Sequence, residues 1–401
     1  MIFLLATIQK YLKHNSIYLF IEKMEINKNL EIAVYIHWPF CLSKCPYCNF
    51  VSVASSGRNF KEFEDSLLKD LRNSISKLDV KSIKSVFFGG GTPSLMSPKA
   101  VEVILDFLMK NYSMSDVEIT LEANPATFDR KKIEDFKKSG VNRLSLGIQS
   151  FEDKNLNFLG RIYNSAEALK AAEIVSEIFH NSSLDIMYGY QGQSKKSFTS
   201  DLLRAVNFGY KHISCYRLTF EEGTLFYKKL HRGEIKDMKT DFSPSNILKD
   251  FDIFRYEISS FAQKGFECRH NLIYWKYEDY LGIGPGAHSR VAMNGNKYEL
   301  IKINSPLSWK NEVQRNKLAL SQFKALTEME KLAEIVITGL RLVEGINFSD
   351  LYSKVDPDIV DKIITPEKIN FLRKNRLMRN KKFQLTKSGL ERMNSVIKFL
   401  L

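Results

Sequence analysis

The chain has 401 residues, of which 44% are hydrophobic and 26% charged, and its formal net charge is +13. This length and composition predict a globular protein with one large and one smaller domain, and they exclude an intrinsically disordered chain. No uninterrupted apolar run approaches the ~20 residues that cross a bilayer, which excludes a protein embedded in a membrane. The positive charge would suit an anionic partner, although scattered lysines usually mark solvated faces.

Residues 1–28 are interpreted as an N-terminal extension. The first eight residues are apolar, but they lack the basic start and the small-residue cleavage site of a secretory signal. Met24 opens a polar stretch just before the first predicted strand, so an upstream start codon could have added residues 1–23. We expect this extension to be dispensable for the fold.

From residue 33 to residue 218 the chain alternates β-rich runs with helical patterns, which is typical of repeated βα units and a parallel sheet. Six strands are predicted, at 33–37, 85–88, 117–123, 143–148, 184–188 and 212–218. Helices are predicted between them, at 59–78, 98–112, 130–139, 165–178 and 194–208. Six units without an obvious seventh predict an α/β core at 29–225, a partial (β/α)6 barrel that binds ligands at the carboxyl ends of its strands.

Three cysteines crowd the loop after the first predicted strand, where Cys41, Cys45 and Cys48 follow the pattern Cys-x3-Cys-x2-Cys. Three thiolates suit an iron–sulfur cluster, and a four-iron cluster would then keep one iron open. Zinc is the alternative, but it would need a fourth ligand, and the remaining cysteines, Cys215 and Cys268, are isolated from each other. Reduced, crowded thiols predict a cytoplasmic protein.

Polar or flexible residues follow the later strands. The run Gly89-Gly90-Gly91-Thr92-Pro93 follows the second strand, and on its own it would be read as a tight turn. Glu122 ends the third strand, Gln149 ends the fourth with Arg161 beyond it, and Asp185 lies on the fifth. Each could be an ordinary solvated or capping residue. Together they place carboxylate, amide and guanidinium groups on one rim, which predicts a pocket for a ligand with nucleoside and amino-acid parts.

The segment from Tyr35 through His288 resembles the coproporphyrinogen III dehydrogenase-like branch of the radical S-adenosylmethionine (SAM) superfamily. The resemblance implies that the three cysteines hold a 4Fe–4S cluster with SAM at its open iron, and that Tyr35, Gly90 and Glu122 contact this SAM. It also implies a second set of positions, which line another SAM site in the porphyrinogen enzyme: Tyr47, Gly91, Thr92, Gln149, Arg161 and Asp185. Thr219 matches by position only.

Two branches of this family differ at positions that the sequence displays. The oxidase has a further cysteine two residues beyond the third cluster ligand, where this chain has Phe50. The cysteine loop instead resembles that of the HemW heme chaperones, and residues 269–275 resemble their His-Asn-x-x-Tyr-Trp heme motif. His270 beside two aromatic residues is thus the candidate heme ligand, with a buried core histidine as the alternative. His288, in the glycine-rich loop that follows, is a secondary heme candidate.

One turn departs from the family pattern. Residues 189–193 read Gly-Tyr-Gln-Gly-Gln, where the family usually has Gly-Leu-Pro-Gly-Gln. Because proline restricts the backbone, its absence predicts a looser turn.

The rest of the chain is predicted to form a linking region at 226–305, which contains the heme-like motif, and a helical, winged-helix-like domain at 306–401. Residues 327–330 read as a capping box before a helix at 331–342, and 368–374, 377–386 and 387–400 read as helix, hairpin and helix. Winged helices often bind DNA, and six basic residues could contact phosphates: Arg373, Lys374, Arg376, Arg379, Lys381 and Lys382. A packing or lid domain is the favoured alternative, so nucleic acid is not the expected partner.

The sequence therefore predicts a radical SAM heme chaperone with a 4Fe–4S cluster, SAM and heme as cofactors. Its expected partners are heme, an unidentified heme acceptor protein and an electron donor for the cluster, and a peripheral membrane contact is left open. Enzymatic activity is also left open. The alternatives are oxygen-independent oxidative decarboxylation of coproporphyrinogen III by a 5′-deoxyadenosyl radical, and a nucleic-acid-binding protein with a structural cluster.

Overall fold

The computed structural model describes residues 29–401 except 56–58, 239, 241 and 381. The predicted extension at 1–28 and the side chain of Lys381 therefore lie outside the described residues. Within the described part of the chain, no helix combines the length and the apolar character needed to cross a bilayer.

Fourteen strands are described along the chain. They are β1 Leu30–Trp38, β2 Phe40–Cys41, β3 Val53–Ala54, β4 Val80–Gly90, β5 Glu118–Ala123, β6 Arg143–Gln149, β7 Ser182–Tyr188, β8 His212–Arg217, β9 Phe254–Arg255, β10 Ser260–Ala262, β11 Tyr280–Ile283, β12 His288–Met293, β13 Asn296–Lys302 and β14 Leu320–Ala325.

The described α-helices lie mostly between these strands and after them. They are α1 Lys61–Ile75, α2 Pro98–Asn111, α3 Arg130–Lys138, α4 Asp153–Phe158, α5 Ser165–Ile178, α6 Lys195–Asn207, α7 Leu225–His231, α8 Pro244–Leu248, α9 Arg269–Trp275, α10 Pro306–Gln314, α11 Glu328–Gly339, α12 Phe348–Lys354, α13 Pro357–Ile363, α14 Pro366–Lys374, α15 Lys387–Glu391 and α16 Met393–Leu400.

Twelve of the strands form one sheet, in the order β14-β13-β12-β11-β1-β4-β5-β6-β7-β8-β10-β9. From β11 to β8 every neighbouring pair is parallel, and the strands outside that range pair antiparallel. The six predicted strands and the five helices between them are confirmed, with ends that differ by a few residues. The predicted fold, a partial (β/α)6 barrel followed in the sequence by a smaller helical domain, is therefore confirmed.

The region predicted as a linker is instead part of this sheet. Strand β11 pairs in parallel with β1, and β12 to β14 extend the same edge, while β9 and β10 extend the opposite edge. Strand β11 is the seventh parallel strand of the sheet. It has only four residues and lies far from β8 in the sequence, so no local hydrophobic pattern predicts it. Strand β14, the last strand of this sheet, ends at Ala325, within the residues predicted as the helical domain at 306–401.

The smaller domain has its own core, which includes Leu332, Val336, Leu372 and Phe383. The capping box at Thr327 is confirmed, since its side chain accepts from the amide of Glu330 and the Glu330 side chain accepts in return. In the described residues of the predicted hairpin, an antiparallel bridge joins Met378 to Leu385, and Phe383 pairs with Ile346 outside the hairpin. The predicted last helix is divided into α15 and α16 at Arg392.

The two faces of the parallel sheet differ in chemistry. One face packs apolar side chains such as Leu121, Leu146 and Ile186 against the helices in the main core. The alternate residues point the other way and are polar, which the side-chain hydrogen bonds from Ser145 to Asp185 and between Ser183 and His212 demonstrate. Since successive side chains of a strand point to opposite faces, the fold lines the interior of its partial barrel with polar groups.

Candidate functional site

The cysteine loop is closed by a small parallel pairing of β2 with β3, in which Cys41 lies opposite Ala54. Within the loop the amide of Cys48 donates to the carbonyl of Cys45 at 3.1 Å. Burial raises the pKa of the Cys41 and Cys48 thiols. All cysteines in the described residues are free thiols, and three of them share this loop.

The glycine motif is fastened directly to the cysteine loop. The amide of Gly91 donates to the carbonyl of Trp38 at 2.6 Å, and the amide of Thr92 donates to the carbonyl of Phe40 at 2.9 Å. A Cβ atom at Gly91 would lie 2.8 Å from that same Phe40 oxygen, so no side chain fits there. The glycine therefore permits the close approach that holds the turn after β4 beside the first cysteine.

A cavity of about 440 Å³ opens at the carboxyl ends of the strands. Twelve predicted site residues line it: Cys41, Cys45, Tyr47, Cys48, Gly90, Gly91, Thr92, Glu122, Gln149, Arg161, Asp185 and Thr219. Tyr35 and His270 are not among the described residues that line it. The structure thus brings together residues that are separated by up to 178 positions in the sequence.

Two carboxyl groups stand inside the cavity. Burial, and then the nearby Asp185, raises the pKa of Glu122 to about 8, although the amide of Gly90 donates to its Oε2 at 3.1 Å. Burial likewise raises the pKa of Asp185, which accepts hydrogen bonds from Ser145 and Ser183. A cationic ligand would favour the charged form of such carboxyl groups, because it would offset their desolvation.

Arg161 connects the cysteine loop to strand β6. Its Nη1 lies 3.1 Å from Cys45 Sγ and 3.3 Å from the Tyr47 hydroxyl, and its Nη2 donates to the carbonyl of Gly147 at 3.2 Å. Its Nε donates to the hydroxyl of Tyr163. The guanidinium therefore presents a fixed positive charge at the rim, which suits an anionic or carboxylate group of a ligand.

Tyr35 lies beneath the cavity floor. Its hydroxyl is 3.1 Å from His37 Nδ1, and His37 Nε2 donates to the carbonyl of Val51 at 2.8 Å. Since Val51 O can only accept, His37 Nδ1 is left as the acceptor for the Tyr35 proton. Burial, and then Glu122, raises the pKa of Tyr35, so its hydroxyl stays neutral beside the carboxyl groups.

His37 is a residue that the sequence interpretation missed. A Cβ atom at Gly90 would lie 2.5 Å from the His37 ring, and Gly90 has φ of +110°, so this ring explains why glycine occupies the position. A Cβ at Gly284 would lie 2.4 Å from the His37 carbonyl oxygen. The glycine-rich loop after β11 thus packs under the cysteine loop, and His288 next to it is exposed.

The candidate heme motif forms the short helix α9, and His270 points into the barrel interior. His270 is fully buried, its Nδ1 lies 2.8 Å from Ser85 Oγ, and its Nε2 lies 2.7 Å from the Tyr274 hydroxyl. Its ring stacks on Phe87 at 5.0 Å between centroids. Burial lowers the pKa of His270 to about 3. With both ring nitrogens engaged, ligation of a heme iron requires one of these hydrogen bonds to break.

The helix α9 closes the amino-terminal end of the barrel. Its first amides, those of Arg269 and His270, donate to the two oxygens of Glu118, each at 3.1 Å. Glu118 also lies 3.8 Å from Arg143, and both side chains are almost fully buried. The heme motif and the cysteine loop therefore lie at opposite ends of the parallel strands.

The turn at 189–193 is firmly held, contrary to the looser turn that the missing proline predicted. Gln193 accepts from the amide of Gly189 at 2.9 Å and donates to the carbonyl of Met187 and to the hydroxyl of Tyr190. Tyr190 is 1% exposed and stacks on Phe158. Tertiary packing of the tyrosine takes over the role that a rigid proline ring would have.

The sequence contained a signal for the missed polar residues. Ser145, Ser183 and Ser214 alternate with apolar residues along β6, β7 and β8, and a polar residue at every second position marks a face that is not packed in an apolar core. The strands were predicted from their high apolar content alone, so this alternation of polar and apolar residues was overlooked.

The comparisons with known proteins agree with this arrangement. Residues 35–204 match the family model of the Radical SAM superfamily. The chain is 43% identical over 276 residues to the heme chaperone HemW of Buchnera aphidicola subsp. Schizaphis graminum, a match covering 68% of this chain and 73% of that protein. It is 35% identical to the heme chaperone HemW of Escherichia coli strain K12, covering 77% of this chain and 86% of that protein.

Two further comparisons span most of the chain. The mitochondrial radical S-adenosyl methionine domain-containing protein 1 of Dictyostelium discoideum is 32% identical over 93% of this chain and 95% of its own length. The structure of coproporphyrinogen III oxidase (HemN) from Escherichia coli superposes with a TM-score of 0.76 at 19% identity, covering 95% of this chain and 92% of that one. At this identity the second likeness establishes the fold alone.

Proposed function

Because the chain belongs to the HemW family of radical SAM proteins, we propose that it is a heme chaperone that holds a 4Fe–4S cluster, binds SAM and delivers heme to an acceptor protein. The observation that carries the proposal is the convergence of the cysteine loop, the Gly90 turn and Glu122 on one cavity in a chain with these relatives. The heme part of the proposal rests on the relatives, whose names describe heme chaperones.

The donor set of the cavity fits the cluster. Cys41, Cys45 and Cys48 would supply three thiolates, which are the soft ligands that iron–sulfur clusters use, and a fourth position would remain for SAM. When bound, the cluster supplies an electron to SAM. The chain's own part is to release the thiol protons, which burial otherwise retains, and to keep the loop closed through β2 and β3.

Residues on two sides of the cavity would bind the polar groups of SAM. Glu122, which the Gly90 amide orients, would accept from the ammonium group, and Asp185 would accept from hydroxyl groups. Arg161 would pair with a carboxylate. The Tyr35 hydroxyl would donate its hydrogen bond to His37, which leaves the hydroxyl oxygen able to accept a hydrogen bond from SAM. A second SAM, as the resemblance implies, would use Tyr47, Gly91, Thr92, Gln149, Arg161 and Asp185.

Heme is the cargo in this proposal, and His270 stays its predicted iron ligand. The bound form would then require α9 to shift, because the imidazole is hydrogen-bonded at both nitrogens and shielded from solvent. An acceptor protein and an electron donor for the cluster complete the set of partners. Free thiols throughout the described chain favour a reducing compartment, and we place the protein in the cytoplasm on that ground.

We also propose a division into two units, with the sheet and its helices at 29–325 and the helical, winged-helix-like unit at 326–401. The support for it is that each part has its own buried apolar cluster. The second unit would pack against the first, as in a lid or supporting domain.

The test is an anaerobic reconstitution of the full chain with iron and sulfide, followed by titration with heme and incubation with coproporphyrinogen III. The proposal predicts one heme bound for each chain, transfer of that heme to a heme-depleted acceptor, and no consumption of the porphyrinogen. Consumption with release of carbon dioxide would select the oxidase instead. A failure to bind heme by a protein that contains an intact cluster would overturn the chaperone function.

A further inference from the structure

The interior face of strand β4 connects the heme motif to the cavity. Ser85, Phe87 and Gly89 lie on this face, because alternate residues of a strand point to the same side. The hydroxyl of Ser85 lies 2.8 Å from Nδ1 of His270. At the other end of the face, Gly89 immediately precedes Gly90, whose amide donates to a carboxyl group in the cavity. One strand face therefore leads from the candidate heme ligand to the candidate SAM site.

Phe87 lies in the middle of this face and contacts residues from both sites. Its ring stacks on the His270 ring at 5.0 Å and on the Tyr35 ring at 6.2 Å between centroids. The rings of Tyr35 and His270 are 6.3 Å apart. Because protein interiors are close-packed, none of these three rings can move far without displacing another.

The glycine motif packs directly against two of these rings. A Cβ atom at Gly89 would lie 2.8 Å from the Phe87 ring and 2.9 Å from the Tyr35 ring. The rings therefore already touch the backbone of this strand end. Their position sets the position of Gly89, and with it the orientation of the Gly90 amide toward Glu122.

His270 would have two arrangements in a heme chaperone. In the arrangement that the structure shows, its nitrogens are hydrogen-bonded to Ser85 and Tyr274, and its ring supports Phe87. Ligation of a heme iron uses one nitrogen, so one hydrogen bond must break and the ring must move. That movement withdraws support from Phe87 and from the glycine motif behind it. The arrangement that orients the Gly90 amide is therefore the one that is closed to heme.

We propose that SAM and heme oppose each other's binding through Phe87, so that SAM binding releases heme for delivery, an inference that rests on the heme and SAM binding proposed above. SAM would favour the arrangement with the supported glycine motif, and heme would favour the other. A ligand shifts such an equilibrium by its difference in affinity for the two arrangements, and the effect on the two affinities is reciprocal. Phe87 is then a positioning residue, since it is not among the described residues that line the cavity.

Direct competition for the cavity is the alternative. Heme would then enter the cavity of about 440 Å³ in place of SAM, and the opposition would not depend on Phe87. The position of His270 argues against this, because the residue is fully buried and is not among the described cavity lining. An iron held by His270 would lie outside the space that SAM fills.

The test measures SAM binding by equilibrium dialysis of the full chain, with a reconstituted cluster kept oxidised so that SAM is not cleaved. We expect saturating heme to raise the Kd for SAM by roughly fivefold or more, and SAM to raise the Kd for heme by the same factor. The Kd for SAM should level off once heme is saturating. Metal-free protoporphyrin IX, which offers no iron to His270, should leave it unchanged. A Kd that keeps rising in proportion to heme would show direct competition and overturn the proposal.

The variant Phe87→Leu removes the ring stack and keeps an apolar side chain. It should bind both ligands, with the opposition reduced to less than about twofold. Phe136→Leu is the matched control, because Phe136 is a buried phenylalanine on α3 outside the described cavity lining, and it should keep the full effect. Circular dichroism should show that both variants are folded.

Two results separate this inference from the proposed function. A parent chain that binds heme and SAM without opposition, or full opposition in Phe87→Leu, would overturn the role of Phe87 and leave the chaperone function intact. A parent chain with an intact cluster that binds no heme would overturn both. The measurements on the parent chain test the opposition independently of the stability of any variant.

Discussion

The two ends of the barrel carry the two most informative motifs of the chain, and they are built in opposite ways. At the carboxyl ends of the strands, the cysteine loop and Glu122 face an open cavity of about 440 Å³. At the amino ends, His270 is fully buried, and each of its ring nitrogens already has a partner. The difference teaches that a motif identifies a ligand site directly only where its side chains still have unpaired polar atoms beside open space.

The largest effect is expected at the open end. Replacing any one of Cys41, Cys45 or Cys48 by Ala should abolish the broad visible absorption of the reconstituted cluster, because each thiolate would hold a different iron. Cys215→Ala is the matched control, since Cys215 is buried on β8 and lies outside the described cavity lining. Loss of the cluster in Cys215→Ala as well would contradict the assignment of three ligands.

A second change at the open end should spare the cluster and remove SAM. In Gly90→Ala the new Cβ would lie 2.5 Å from the His37 ring at φ of +110°, so the turn or the ring must shift. We expect the electron paramagnetic resonance signal of the reduced cluster to persist and its response to SAM to disappear. Gly209→Ala introduces the same residue at φ of +84° with open space around it and should respond normally. A normal SAM response in Gly90→Ala would refute the placement.

At the closed end the first effect of a substitution should be on stability. His270→Ala leaves Ser85 and Tyr274 without a buried partner and empties the space of a ring, so we expect the free energy of unfolding to fall by about 3 kcal/mol. Cluster assembly should survive, since the cysteine loop lies at the other end of the strands. Heme titration of the same variant then decides the role of His270. Weaker heme binding supports it as the iron ligand, and unchanged heme affinity with lower stability makes it a purely structural residue.

A smaller effect should appear in the pH dependence of the ligand-free, cluster-free protein. Burial raises the pKa of Glu122 to about 8, above its ordinary value of 4.5, so the folded state retains a proton that the unfolded state has lost between these pH values. This group therefore contributes decreasing stability as pH rises from 4.5 to 8. Melting temperatures of Glu122→Gln and of the parent chain should diverge over that window, with the variant relatively more stable at pH 8. Parallel curves would show that Glu122 is ionised throughout.

Much of the barrel followed from local patterns. The helix predicted at 165–178 is observed as Ser165–Ile178, and strands β5 to β8 begin within two residues of their predicted starts. Apolar strands between amphipathic helices are short-range signals, and capping residues such as Asn164 and Thr327 mark helix starts without reference to the rest of the chain.

The errors arose where distant residues decide the structure. Strand β11 exists as a strand because β1 offers it an edge, and the turn at 189–193 is held because Tyr190 finds a pocket beside Phe158. Neither the pairing with β1 nor the contact with Phe158 can be predicted from the local sequence. The same holds for His37, whose role depends on Gly90 and Val51 being folded against it.

By itself, the sequence determined the place and spacing of the three-cysteine loop, the order of βα units and the family resemblance, because these depend on residue identity and on spacing over a few positions. Only the tertiary structure decided that twelve of the predicted site residues line one cavity, while Tyr35 and His270, whose rings lie 6.3 Å apart, are not among its described lining and His270 is fully buried. The physical reason is that burial and hydrogen-bond partners are properties of packing between distant segments. On a surface, the imidazole of His270 would have a nitrogen available to bind a ligand. Here both of its nitrogens are hydrogen-bonded in the interior, to Ser85 and to Tyr274.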